Sequence, residues 1–274
     1  MMKLCCLSLS YKRSFVAGKM DVWSFIEECR RLDLDGVDLH QDSLTGRDEP
    51  YLRRVKRACL DRGLTIACFS INTSFGAAHE KQAAEIEKGK TWLRVAQYLG
   101  APVTRFFAGS PIGEADRQAA FARSVECLRA MAEYGETLGV VVALQNHNHG
   151  ALARTGEDVL RFIREVNHPN FSHVLDSGQY AGSPGAAGVA PPELAGADFY
   201  KSIEQTAPVA THVRAKLYHV ETGHETSLDY ERIFNTLRSV HYNGWISIAY
   251  EGQEEDRHAI EKGVRFLRKF VHAS

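Results

Sequence analysis

Apolar positions along this chain switch repeatedly between two periods. Short runs rich in β-branched and aromatic residues alternate with longer stretches whose apolar residues recur at helical spacing. The short runs predict strands at Lys3–Ser10, Gly36–His40, Leu64–Ile71, Pro102–Ala108, Val140–Gln145, Phe171–Leu175, Ala210–Lys216 and Trp245–Tyr250. Between and after them, helices are predicted over Met20–Leu32, Leu52–Arg62, Glu80–Leu99, Ala115–Thr137, Gly156–Val166, Phe199–Thr206, Leu228–Val240 and Arg257–Val271. Eight strand–helix pairs close economically as a (β/α)₈ barrel, a single α/β domain spanning residues 1–274. Gly36, Gly63, Gly100, Gly139 and Gly244 each stand just before a predicted strand, where helices commonly stop on a left-handed residue. An open doubly wound sheet is the competing topology, but no G-x-G-x-x-G follows the first strand.

One segment breaks the rhythm. Gly178 to Gly196 is rich in Gly, Ala, Pro and Ser and has no period. Because it follows strand six it belongs to the face where barrel loops build active sites, so it is expected to cover substrate.

Composition narrows the function classes. Lys plus Arg number 33 against 34 Asp plus Glu, a balance that offers no field for nucleic acid or an anionic membrane. The six cysteines form no C-x-x-C pair and no zinc spacing, and are expected to be reduced, buried thiols of a cytoplasmic protein. The apolar opening Met1–Ser8 is too short for a signal peptide and reads better as the first strand, and no stretch approaches the ~20 apolar residues that cross a bilayer.

Chemistry in such a barrel concentrates where strands end. Strand five ends in Gln145-Asn146-His147, strand six runs into Asp176-Ser177-Gly178-Gln179, strand seven carries His212-Val213-Arg214-Ala215-Lys216, and strand eight ends in Tyr250-Glu251-Gly252. Any one of these could merely cap a helix or tie down a loop. Four consecutive strands ending in an amide, a carboxylate, an imidazole and a carboxylate instead suggest one metal site made by Gln145, Asp176, His212 and Glu251, for an ion such as Mn²⁺, Mg²⁺, Co²⁺ or Zn²⁺. His147, His149, Gln179, Arg214 and Lys216 lie in the same blocks, and a pocket crowded with such groups suits a polyhydroxylated substrate. His40 and Asn72, at the ends of strands two and three, join Arg214 and Gln179 as candidate substrate contacts. Asp38, at the end of strand two, has a bland reading, and Arg105 and Phe107, which share a facing by alternation, read equally well as packing or function.

The blocks Leu32–Leu39, Ala143–His147, Leu175–Gly178, His212–Lys216 and Ile248–Gly252, in this order, resemble the xylose isomerase-like barrels, or sugar phosphate isomerases/epimerases. That family includes inosose isomerases and dehydratases, ketose 3-epimerases and endonuclease IV. The resemblance implies a divalent metal held by a glutamate after strand five, an aspartate after strand six, a histidine on strand seven and a glutamate after strand eight, with the two glutamates exchanging protons with a sugar. Asp176, His212 and Glu251 match this pattern, whereas Gln145 stands where a glutamate is expected. An amide carries no charge and cannot act as a general base near neutral pH. Gln179 likewise replaces a further histidine ligand found in many members, and the balanced charge disfavours DNA, so endonuclease activity is the least expected family reading.

The expected reaction is metal-assisted proton abstraction next to the carbonyl of a sugar or keto-sugar, through an enediolate, giving isomerisation or epimerisation. Glu251 is the expected base, with Lys216, Arg214 or His147 stabilising oxyanions or returning the proton. A single carboxylate base also suits a lyase or dehydratase that expels a β-oxygen. A catalytically weakened sugar-binding subunit is the reading of another class. Barrels of this family are often dimers or tetramers, so the resemblance also admits a homo-oligomer.

Overall fold

Parallel strands need a crossover of a dozen or more residues between them, and the alternating pattern supplies one after every strand. The computed structural model describes residues 1–148, 151–184 and 198–271. Its strands are β1 (Lys3–Leu7), β2 (Gly36–His40), β3 (Thr65–Ser70), β4 (Val103–Phe106), β5 (Val141–Gln145), β6 (Phe171–Asp176), β7 (Ala210–Leu217) and β8 (Trp245–Tyr250). They pair in chain order, all parallel, and β8 pairs with β1 to close the barrel. His149 and most of the predicted covering loop, residues 185–196, lie outside the described residues.

The helices are α1 (Lys12–Val16), α2 (Val22–Arg31), α3 (Glu49–Leu60), α4 (His79–Leu99), α5 (Arg117–Leu138), α6 (Gly156–Val166), α7 (Phe199–Thr206), α8 (Tyr230–Ser239) and α9 (Asp256–Val271). Their starts follow capping chemistry. Asp21 and Thr155 form reciprocal capping boxes with Ser24 and Asp158, while Asp48, Asp198 and Asp229 accept from first-turn amides. Helices α4 and α5 end on Gly100 and Gly139 in the left-handed conformation, as the glycine pattern predicts. Gly36 and Gly244 do not play that part: before β2 and β8 the left-handed residues are Asp33 and His241. Gly36 is needed for closeness instead, because a Cβ there would lie 2.4 Å from the Thr65 carbonyl oxygen. The predicted first strand is also shortened. Ser8–Tyr11 tighten into a 3₁₀ turn that leads into α1, and Ser10 Oγ donates to Ile248 O and accepts from Tyr250 N, which ties the turn to β8.

Burial divides into two regions. A large cluster between barrel and helices takes most of the apolar side chains, including Phe25, Phe69, Phe106, Phe162 and Phe234. Inside the barrel the apolar set is small, namely Cys68, Val103, Ala143 and Val174 with Val141 against them. The rest of the interior is polar. Asp38 on β2 accepts from Arg214 Nε at 3.1 Å and from Arg214 Nη2 at 2.9 and 3.1 Å, and also from Ser247 Oγ at 3.0 Å and Ser70 Oγ at 3.2 Å. Burial by itself would raise the Asp38 pKa, but Arg214 and His212 outweigh it and hold the carboxyl well below the usual carboxylate range. Both partners are fully buried, so the pair is a fork-to-carboxylate contact in a dry interior.

Two predictions follow from this interior. Asp38→Asn keeps the shape but leaves the Arg214 guanidinium without its counter-charge, and should lower unfolding free energy by about 3–5 kcal/mol in urea denaturation; a loss below about 1 kcal/mol would show that the pair does not hold the barrel. All six cysteines are free and buried, and burial raises the thiol pKa of each one. Ellman's reagent should therefore label no thiol in native protein and all six after denaturation.

Candidate active site at the strand ends

Residues 212, 214 and 216 of β7 all point inward by strand alternation, at three successive depths. The register fixes which depth meets which neighbour. Val174 of β6 is opposite His212, Asp176 is opposite Arg214, and Lys216 is opposite Ala249 of β8. His212 therefore lies two residues, roughly 6–7 Å, deeper than Asp176. The structure does not bring it to the strand ends beside Gln145, Asp176 and Glu251, as the sequence pattern predicts. His212 is fully buried, with Nε2 3.3 Å from Asp38 Oδ2 but off the hydrogen-bonding direction, and its Nδ1 has no partner among the described residues.

At the level of Asp176 the side chains form a relay. Arg214 Nη1 donates to Gln145 Oε1 at 2.7 Å, and Gln145 Nε2 donates to Asp176 Oδ2 at 2.9 Å. The amide at position 145 has a physical reason here, because only a group with one acceptor end and one donor end satisfies a guanidinium on one side and a carboxylate on the other. A glutamate would oppose its own charge to Asp176. Asp176 Oδ2 lies 3.2 Å from Lys216 Nζ, which donates to Glu251 Oε1 at 2.6 Å, and Gln179 Nε2 reaches Glu251 Oε2 at 3.3 Å. Burial pushes the Asp176 pKa up, partly opposed by Lys216. Burial also pulls the Lys216 pKa down, but Asp176 and Glu251 together outweigh it and hold the ammonium above its ordinary value. Lys216 and Asp176 side chains are 2% and 1% exposed, while Glu251 is 39% exposed.

Above the relay lies a cavity of about 180 Å³ lined by Asn72, Arg105, Phe107, Gln145, His147, Asp176, Gln179, Arg214, Lys216 and Glu251, among others. Of the predicted residues, His147 stands edge-on to Phe107 at 5.0 Å, and Asn72 Oδ1 accepts from His40 Nε2 at 3.2 Å. His40 is buried behind Asn72 and is not part of the cavity wall. Arg105, for which strand periodicity left packing and function equally open, belongs to the lining. Its position at the C-terminal end of β4 was the available signal.

A divalent ion needs several lone pairs aimed at one point. The four predicted ligands do not offer that. Gln145 turns its amide nitrogen toward Asp176 and commits its oxygen to Arg214, Asp176 and Glu251 both face an ammonium, and His212 sits a layer below. As arranged, this donor set does not fit a divalent ion. Among the described residues, Asp38, Cys68 and His212 do bring three ligand-type atoms within 4.8 Å of one another. There Asp38 already spends both oxygens on Arg214, and burial pushes the Cys68 thiol away from the thiolate that would bind metal.

The fold is shared with proteins named as two sugar epimerases and a dehydratase. A D-psicose 3-epimerase from Clostridium cellulolyticum superposes with a TM-score of 0.80 at 14% identity, covering 99% of this chain and 100% of that one. A 3-keto-D-glucoside 4-epimerase from E. coli gives 0.73 at 14% identity over 97% and 98% of the two chains. A probable 3-DHS dehydratase from Bacillus anthracis gives 0.71 at 19% identity over 96% and 98%. No curated protein matches by sequence. No described helix is long and apolar enough to cross a membrane. A closed eight-stranded barrel and a match of residues 26–270 to the family model together show that the chain belongs to the xylose isomerase-like TIM barrel family.

Proposed function

We propose that the chain is a sugar isomerase or epimerase that removes a proton from the carbon next to a carbonyl of a keto-sugar. The observation that carries this reading is the clamp of Lys216 Nζ between Glu251 and Asp176 at the cavity floor. A carbon acid needs a base beside the C–H bond and a positive group beside the oxygen that becomes an oxyanion. Glu251, the more exposed carboxylate of the pair, takes the proton. The C–H electrons form the carbon–carbon double bond, and the carbonyl electrons move to oxygen, where the Lys216 ammonium stabilises the enediolate. Because the ammonium is buried and held by two carboxylates, its orientation is fixed before substrate arrives, which is where such stabilisation is strongest. Asp176 positions Lys216, and Gln145 and Arg214 position Asp176. His147, on the cavity wall, donates its own proton to the opposite face or to the neighbouring carbon, and exchange with solvent then strips Glu251 and recharges His147. Relatives of the same fold named as a psicose epimerase and a keto-glucoside epimerase support a ketose or keto-glycoside as substrate class.

Elimination is the second reading, and one observation favours it. Gln145 stands where a second carboxylate is expected, leaving Glu251 as the one partly exposed carboxylate of the lining among the described residues. The same enediolate would then expel a β-hydroxyl, protonated on departure, as water.

Proton exchange separates these readings from a binding-only subunit. In deuterated water, wild type incubated with ketohexoses and keto-glycosides should exchange the hydrogen α to the carbonyl, followed by NMR, with a new epimer or an unsaturated product identifying the branch. Glu251→Gln should lower the exchange rate by about 10²–10⁴-fold, the usual contribution of a positioned base. Lys216→Met should lower it by about 10²–10³-fold, as for loss of an oxyanion-stabilising donor. Stoichiometric sugar binding with no exchange in wild type would sink the enzymatic reading.

A further inference from the structure

We propose that Arg105 is the docking point for an anionic group of the substrate, a carboxylate or a phosphate oxyanion, on the cavity wall opposite Glu251. The inference rests on the cavity being the substrate site, and it names the substrate class that the site selects.

The buried charges of the barrel mouth are otherwise matched. Asp38 is paired with Arg214, and Asp176 and Glu251 share Lys216. Arg105 is the exception. It is 1% exposed, its Nη1 donates to the Ile71 carbonyl at 2.7 Å, its Nε has no partner among the described residues, and no described carboxylate forms an ion pair with it. A buried guanidinium without a counter-charge is unfavourable unless something supplies one. Burial, then the neighbouring Arg214, push its pKa down to about 9, the direction expected of a cation short of an anion.

Geometry says where that anion would come from. The guanidinium carbon lies 4.0 Å from the Phe107 ring centroid, so one face is stacked on an aromatic ring; Nη1 is held by Ile71, and the Nε–Nη2 edge is the one with no described carboxylate against it. Arg105 is on β4 and Glu251 follows β8, four strands apart in either direction around a barrel of eight. A molecule filling the space between them presents its carbonyl and C–H bond to Lys216 and Glu251 at one end and its anionic group to Arg105 at the other. A neutral sugar would leave the guanidinium buried and unpaired. The fixed distance across the mouth also sets register, since the anion anchors which carbon meets the base.

Titration calorimetry with D-fructose, D-fructuronate and the terminal phosphate ester of D-fructose tests this without requiring turnover. Wild type should bind one of the two anions at least about tenfold more tightly than the neutral ketose, and which of them wins identifies carboxylate or phosphate as the partner. Arg105→Gln should erase that preference, and Arg105→Lys should restore part of it. Thermal melts of both variants check that the barrel is folded, and the preference of wild type stands as a test even if neither variant folds. Equal affinity for all three ligands in wild type, or a preference that survives Arg105→Gln, would overturn the proposal. Anion preference without proton exchange would leave this inference standing and defeat the catalytic reading instead.

Discussion

The buried ion pair between Asp38 and Arg214 is the contact on which the mouth of this barrel depends. Two full charges in the middle of a parallel barrel are tolerable only with good geometry and satisfied remaining oxygens, and the three guanidinium contacts with two serine hydroxyls supply both. Once Arg214 is fixed by Asp38, its remaining nitrogen dictates which end of Gln145 faces it. The other end of that amide then orients Asp176, and Asp176 with Glu251 fixes Lys216. Each link is a hydrogen bond or an ion pair whose donor and acceptor ends cannot be exchanged, so the order of charges from the barrel centre to the cavity follows from the first pair.

This order gives a family fold an unusual centre. Where a divalent ion would be expected from the family resemblance, the chain places its own cation on a strand, held by two carboxylates and shielded from solvent. Gln145 then becomes intelligible as part of the relay. A side chain that must face both a guanidinium and a carboxylate is better an amide than an acid. In the proposed reaction an ammonium would spread less charge onto a carbonyl than a divalent ion does, so much of the rate would come from fixed placement of Lys216 beside the base.

Much of the fold was legible because parallel barrel strands are buried on both faces and read as short apolar runs between helical stretches. The misplacements have local causes. Ser8–Ser10 read as a continuation of the apolar opening run, yet the chain tightens there to reach β8, and Asp33 and His241 took the left-handed positions assigned to glycines. At the site, the strand-end rule drew attention to Gln145, Asp176, Lys216 and Glu251, which do converge. It could not give depth. Alternation puts His212, Arg214 and Lys216 on the same inward face, and the pairing of β6 with β7 shifts between His173 and Val174, so counting residues misjudged which of the three stands beside Asp176. Asp38 and Arg105 were ambiguous for a related reason, since a charged residue inside a strand signals partner or ligand only when its neighbours across the barrel are known.

The measurement that bears most directly on this account is metal uptake by plasma mass spectrometry, after dialysis against Mn²⁺ and removal of free ion, on wild type, Lys216→Ala and Asp176→Ala. If Lys216 is the resident cation, wild type carries no ion at the strand ends, and uptake appears only when the ammonium is removed and Asp176, Glu251 and the Gln145 oxygen are released to face a new charge. An ion held stoichiometrically by wild type and lost in Asp176→Ala would contradict it, and would return the site to metal-assisted chemistry.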